Sequence, residues 1–343
     1  MQFTEGIAPD TIGASTKDRG NAPVFVLGCG RSGTTLLYHM ILSAGGFAVY
    51  RAESNVINLL EPRFGNLSIR RNREKLMDAW INSKLFWVSG LNADEIRNKV
   101  LQECRNGGDF LRIIMGGMAR HQGVRRWADC TPEHLLYMSR IKETIPDALI
   151  IHIIRDGRDV ALSTDKLGYI KRAPWDNMPS VMVAGLYWEW MVRRGREDGR
   201  KLGNAYIEVH FEDLVTEPRE TLAKLSGFIH HDLDYDRIQR VGIGSVSDPN
   251  TSFRNNAKKG EFSPIGRWKR GYSAEHLAVF EKLVGKTLQA VGYELATANT
   301  VSLERPDLRR MRAIYRAYFD TKLYFKAKTP LGQLFATRDL SWI

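Results

Sequence analysis

Cysteine is scarce, with Cys29, Cys104 and Cys130 as the only three among 343 residues. They are too few and too scattered for a disulfide framework, and none falls in a CxxC pattern suited to zinc. A small disulfide-stapled secreted fold is therefore excluded, and a reducing cytoplasm is the compartment that fits. No run reaches the roughly 18 apolar residues that a bilayer span requires. Residues 1–22 are small and polar, lack the apolar core of a secretory signal, and are expected to form a flexible leader. Acidic residues are also in deficit, 39 against 50 lysines and arginines, which leaves a formal charge of +11. Such a surface favours phosphate, sulfate, nucleic acid or anionic lipid. No nucleic-acid reading motif accompanies the charge, so nucleic acid is not the expected partner, although a basic nucleic-acid binder is the alternative that charge alone suggests.

The hydrophobic content of 43 % over this length is enough for one large core. Val24-Phe25-Val26-Leu27 is an uninterrupted apolar run that stops at Gly28 and reads as a buried strand. Leu36, Leu37, Met40 and Ile41 then recur at helical spacing over residues 34–43, closed by Gly45-Gly46. Phe47 to Tyr50 reads as a second strand, and 70–144 as mostly helical, including 74–80 and 133–142. The stretch from Ala148 to Ile154 is the clearest buried strand, with His152 inside it as a packed core residue, and a helix is expected from Gly157 to Asp165. Strand, turn and helix recur at 206–209 and 217–229. This repetition predicts an α/β fold, a parallel sheet flanked by helices on both faces.

Gly28-Cys29-Gly30-Arg31-Ser32-Gly33-Thr34-Thr35 lies between the first strand and its helix, where open α/β sheets bind ligands. Glycines let backbone N–H groups turn inward around an anion, and the helix N-terminus adds positive potential. The spacing is that of a GxxxxGK[ST] phosphate loop with Thr34 in the lysine position. That lysine reaches the β- and γ-phosphates, so its absence argues against a P-loop kinase, the first alternative function, and for a nucleotide with neither γ-phosphate nor required metal. Arg31 is placed to supply the missing charge.

GRSGTT at 30–35 resembles the 5′-phosphosulfate loop of sulfotransferases that use 3′-phosphoadenosine 5′-phosphosulfate (PAPS), in the style of the protein-tyrosine and carbohydrate enzymes. The segment from Ile153 to Ser163 is similar to the family's 3′-phosphate segment, in which an arginine at a strand end and a serine eight residues later bind that phosphate; here these are Arg155 and Ser163. Each motif sits in a strand–loop–helix context, about 120 residues apart. Phe211-Glu212-Asp213-Leu214-Val215 with Pro218 resembles the family's YEDL stretch, and Gly266-Arg267-Trp268-Lys269 its late G-x-W-K loop. The resemblance implies a P-loop-like sulfotransferase domain over 23–298. It implies PAPS as cofactor, adenosine 3′,5′-bisphosphate as product and no metal, with Arg31, Ser32, Gly33, Thr34, Thr35, Arg155, Ser163, Arg267, Trp268 and Lys269 as cofactor-binding residues.

Sulfuryl transfer needs fixed positive groups at the transferred and leaving oxygens, and a base for the acceptor proton. Arg31 is the expected stabiliser. Glu53, 22 residues beyond it at the same sheet edge, is the expected base, as in the tyrosine-protein type; an ordinary solvated loop residue is the plain alternative. His134 is the second candidate. Many relatives carry Lys-Thr-Pro where this chain has Cys130-Thr131-Pro132, so either Arg31 or one of Arg125 and Arg126 carries that charge here, or the activity is weak or altered. A nucleophilic role for Cys130 is disfavoured, because the reaction needs no covalent step.

The acceptor is left open among small molecule, carbohydrate, lipid and peptide, and oxygen or amine nitrogen. Tyr187, Trp188 and Trp190 read either as a buried aromatic face or as an acceptor pocket, and Trp80, Phe86 and Trp87 pose the same choice. Residues 299–343 are expected to form a basic aromatic helical extension. Its 308–328 segment packs on the domain or, alternatively, makes a peripheral membrane contact.

Overall fold

The computed structural model describes residues 19–173, 175–247, 263–297 and 306–335. Four parallel strands form one sheet: β1 Val24–Leu27, β2 Ala128–Asp129, β3 Leu149–Ile154 and β4 Tyr206–His210, in the order β2-β1-β3-β4. Val24 pairs with Ala128 on one side and Leu149 on the other, and Ile154 with His210. Helices cover both faces, which is why β1 and β3 are apolar without alternation. Their period of two still sorts the core. Phe25, Leu27, Ile150 and Ile154 face one apolar cluster, and Val24, Val26, Ile151 and Ile153 the other.

Among the described residues the helices of ten or more residues are α1 Thr34–Ser43, α2 Arg70–Ile81, α3 Ala93–Glu103, α4 Gly107–His121, α5 Gly157–Lys166, α6 Ser180–Arg200, α7 Pro218–Ile229, α8 Ala274–Ala290 and α9 Pro306–Lys328. None is long and apolar enough to cross a membrane. The expected helix at 133–142 is divided into a 3₁₀ segment, Pro132–Tyr137, and a short α-helix, Met138–Thr144.

Phe47 to Tyr50 is not a strand. It makes a single bridge, Phe47 to Arg126, and the side-chain amide of Gln122 takes the place of a neighbouring strand, accepting from Val49 N at 2.7 Å and donating to Val49 O at 3.1 Å. The edge partner of β1 is instead the two-residue β2, too short to leave a pattern in the sequence.

Residues 1–18 of the expected leader lie outside the described residues, as do 299–305 and 336–343 of the extension. Residues 19–22, assigned to the leader, are fixed: Arg19 donates to Phe228 O at 3.0 Å, and Arg126 Nε to Ala22 O at 2.6 Å. Helix α9 packs on the domain, the first of the two readings of 308–328. It buries Tyr315 and Phe319 and receives a 2.9 Å hydrogen bond from Trp190 of α6 through Asp320.

His152 is a core residue, as its apolar setting implied. It is fully buried, its Nδ1 lies 2.7 Å from the Tyr206 hydroxyl, and Nε2 has no hydrogen-bond partner. Burial lowers its pKa to about 4. The unfolded chain therefore takes up this proton near pH 6.5, where the folded chain refuses it. Its contribution is complete above pH 6.5 and is lost as the pH falls toward 4, a loss of about 3 kcal/mol. Urea unfolding of the wild type and His152→Asn across that window is expected to show this component of the slope only in the wild type.

Candidate functional site

The loop from Gly28 to Gly33 leaves β1 and delivers the chain to α1. A Cβ on Gly28 would sit 2.5 Å from the Ile153 carbonyl oxygen, and one on Gly33, whose φ is +96°, 2.2 Å from the Phe211 ring. Both positions therefore require glycine, because β3 and Phe211 press directly on the loop. Arg31 has φ +75°, left-handed for a residue with a Cβ, and Ser32 N donates back to Cys29 O at 3.0 Å. No side chain caps α1 at Gly33. Beside this N-terminus the Ser32 hydroxyl is buried without a hydrogen-bond partner. A buried unsatisfied hydroxyl costs about 1–3 kcal/mol and is unusual in a folded chain unless something else bonds to it. Thr34 is buried and Thr35 exposed at the same turn.

Because β1 and β3 are neighbours, their carboxyl ends bring the two motifs together. Arg31 Nε donates to Ser163 Oγ at 3.0 Å, and Arg155 Nη1 to Arg31 O at 3.0 Å. Arg155 also donates to Pro264 O, lies 4.5 Å over the Phe211 ring, and leaves Nε without a partner. Burial lowers the pKa of Arg31, which Tyr169 and Glu53 raise and Arg267 lowers further. Burial likewise lowers Arg155, countered by Asp159 and Glu212 and reinforced by Arg267 and Arg31. Arg31, Arg155 and Arg267 thus crowd positive charge at one edge of the sheet, a setting suited to a polyanion.

The late Gly-x-Trp-Lys loop is fastened here by Asp159, whose carboxylate accepts from Gly266 N at 2.9 Å and Trp268 N at 2.8 Å. The Arg158 guanidinium lies 3.7 Å from the Trp268 ring centroid and is held by Asp156 and Glu281. Arg267 and Trp268 are half-buried at this edge, and Lys269 is exposed with its ammonium 5.8 Å from the Trp268 ring. Asp159 and Phe211 lie inside the stretches that resemble the family's motifs, but nothing in the sequence assigns either a role of its own, and Trp188 stands out there only with its aromatic neighbours. The Trp188 indole donates to Arg155 O at 3.1 Å, so this residue positions Arg155 rather than an acceptor. Trp190 and Tyr187 pack on Phe319, Trp80 is core, Phe86 is half-buried, and Trp87 is 78 % exposed. Of the two readings of residues 187–190, the buried aromatic face is therefore the one the packing fits.

Glu53 is exposed on the segment following Tyr50, and it acts electrostatically on both Arg31 and Cys130. The chain beyond it is clamped. Thr131 Oγ1 accepts from Asn55 N at 3.2 Å, and Asn55, with φ +51°, returns its amide to Glu53 O at 3.1 Å. His134 completes the clamp. Its Nε2 accepts from Ile57 N at 3.1 Å and its Nδ1 donates to Asp129 at 2.9 Å, with the ring fully buried. Burial pushes the Asp129 carboxyl up, but His134, Ser54 and the Thr131 amide outweigh it and hold it below its ordinary value. With both nitrogens engaged and no exposure, His134 cannot reach an acceptor, so the second candidate base becomes a positioning residue. His134→Ala should lower stability in urea by about 3 kcal/mol, because it strands a buried carboxylate, while nucleotide binding is retained.

Cys130 is buried, and burial, with Asp129 and Glu53 adding to it, drives its thiol pKa far up. It stays a neutral thiol, which opposes a nucleophilic role. Arg125 and Arg126 precede β2 and so lie at the opposite end of the sheet. Arg126 is spent on Ala22 O and Arg19 O and stacks 4.9 Å over Phe47. Arg31 is the candidate that remains for the missing lysine charge. A cleft of about 1180 Å³ lined by Glu61, Arg140, Arg194 and Tyr324 includes none of the loop residues.

A model of the sulfotransferase family matches residues 23–235. Among solved structures, the sulfotransferase domain of the Synechococcus PCC 7002 olefin synthase aligns with TM-score 0.54 and 20 % identity, over 85 % of this chain and all of that one. The sulfotransferase domain from the curacin biosynthetic pathway aligns with TM-score 0.51 and 15 % identity, over 80 % of this chain and 98 % of that one. At these identities the likeness is one of fold. A comparison with curated protein sequences returned no match.

Proposed function

The chain belongs to the sulfotransferase family, and from that premise we propose that it transfers the sulfuryl group of PAPS to a hydroxyl, or an amine, of its acceptor. One observation carries the choice of donor: the 3.0 Å hydrogen bond from Arg31 to Ser163, which joins a phosphate-type loop to a second cationic pocket within reach of one nucleotide. The orphaned Ser32 hydroxyl, the uncapped N-terminus of α1 and the open space over Gly30 fit the 5′-phosphosulfate end. Arg155 and Ser163 would hold the 3′-phosphate, and Arg267, Trp268 and Lys269 would border the adenosine.

PAPS supplies a sulfuryl group already joined to a good leaving phosphate. Arg31 and the amides of Gly33 to Thr35 would offset charge on the transferred and leaving oxygens. Glu53 would take the acceptor proton as the new O–S bond forms, while the clamp from Asp129, Thr131 and His134 fixes its backbone. A P-loop kinase is the rival from the same loop, and Thr34 in the lysine position weighs against it. A cell extract incubated with the protein and PAPS, compared with one given ATP and magnesium, separates the two by mass spectrometry. Products heavier by one SO₃ only with PAPS support the proposal; phosphorylated products with ATP and none with PAPS overturn it.

A further inference from the structure

After Ser163, α5 runs only three residues further, to Lys166. The chain then turns at Gly168, φ +64°, and crosses residues 167–178, of which 174 lies outside the described residues, before α6 begins. This segment exposes three large apolar side chains, Leu167, Tyr169 at 62 % and Trp175 at 63 %, while Ile170, Ala173 and Met178 pack on the core. Apolar side chains left in water contribute little to the fold. Their backbone is nevertheless held from within. Asp176 N donates to Ala173 O at 3.0 Å and Met178 N to Asp176 Oδ1 at 2.9 Å.

The other partner comes from α9, outside the segment that matches the family model. The Tyr315 hydroxyl donates to Asp176 Oδ2 at 2.5 Å and accepts from Ala173 N at 3.1 Å. Tyr315 is itself wedged against Tyr318 and Phe319, and the Trp175 ring stands edge-on to Tyr318 at 6.0 Å. Burial and Asp176 push the Tyr315 phenol up to about 12, so it keeps the proton it donates. At the other end of the segment, Tyr169 is near enough to Arg31 to alter its ionisation.

We propose that α9 is a strut of the acceptor site: through its double hydrogen bond to Asp176 and Ala173, Tyr315 holds residues 167–178 as a wall beside Arg31, with Tyr169 and Trp175 presented to an acceptor of apolar or aromatic body. The inference rests on reading this edge as the place of sulfuryl transfer. Tyr315 is thus a positioning residue that touches no reactant.

Hydrogen exchange of the full chain, with and without adenosine 3′,5′-bisphosphate, tests the strut. In Tyr315→Phe the amides of 167–178 should exchange about tenfold faster or more, with β3 and α6 unchanged, the loss of both hydrogen bonds of the phenol acting locally. Affinity for the bisphosphate should stay within about twofold, and hydrolysis of PAPS by water should rise several-fold as the wall loosens. Unchanged exchange in 167–178, or acceleration spread evenly through β3 and α6, overturns the proposal. Should Tyr315→Phe not fold, Asp176→Ala cuts the same bond from the loop side and is read the same way. Failure of the wild type to bind the bisphosphate would sink the nucleotide reading instead, and exchange measured without nucleotide would still decide the strut.

Discussion

Arg155→Ala should weaken binding of adenosine 3′,5′-bisphosphate by about 100- to 1000-fold, the loss of about 3–4 kcal/mol expected when a buried, charge-assisted fork to an anion is removed. The size follows from how the guanidinium is held. Arg155 is buried, stacked on Phe211, tied to Arg31 O and Pro264 O, and supported from below by the Trp188 indole. It is pre-organised, so little entropy is lost when a phosphate arrives. Arg155→Lys keeps the charge without the fork and should recover only part of the affinity. Ser163→Ala removes one neutral donor and should cost about tenfold. Titration calorimetry of the four proteins gives the order, and equal affinities in all of them would remove the 3′-phosphate assignment.

The second large effect is expected at Glu53. Glu53→Gln should lower turnover by about 10²- to 10⁴-fold, the usual contribution of a positioned base, with bisphosphate affinity within about twofold of wild type. The separation of the two effects is the diagnostic feature. Glu53 is exposed and is held through its backbone by Asn55 and the Thr131–Asp129–His134 clamp, so the near-isosteric substitution keeps the geometry and removes one negative charge near Arg31. Single-turnover transfer from PAPS measures the chemical step apart from binding. Wild-type turnover in this variant would return Glu53 to the status of a solvated loop residue.

Features governed by local chemistry could be read from the sequence. The apolar runs of β1 and β3, the glycines of the loop, and the arginine and serine flanking the start of α5 each depend on residues within one strand–turn–helix unit. What escaped the reading depends on partners far along the chain. Gln122 stands in for a strand beside Val49, 73 residues away, and nothing in Phe47 to Tyr50 announces a side-chain partner. His134 was the second candidate base, but its role is decided by Asp129 and the Ile57 amide. The aspartate that fastens the Trp268 loop, Asp159, contacts residues more than a hundred positions later. Helix α9 was expected to pack on the domain, but where it packs could not be read, because the partner of Tyr315, Asp176, lies 139 residues before it.

The central claim is that the loop after β1 and the pocket at the end of β3 grip one nucleotide at both ends. Its most direct test is calorimetric titration, without metal, of the wild-type protein with adenosine 3′,5′-bisphosphate and with adenosine 5′-monophosphate. The bisphosphate is predicted to bind about 100-fold more tightly or better, since only it engages Arg155 and Ser163 as well as the loop. Equal affinity for the two nucleotides would contradict the account.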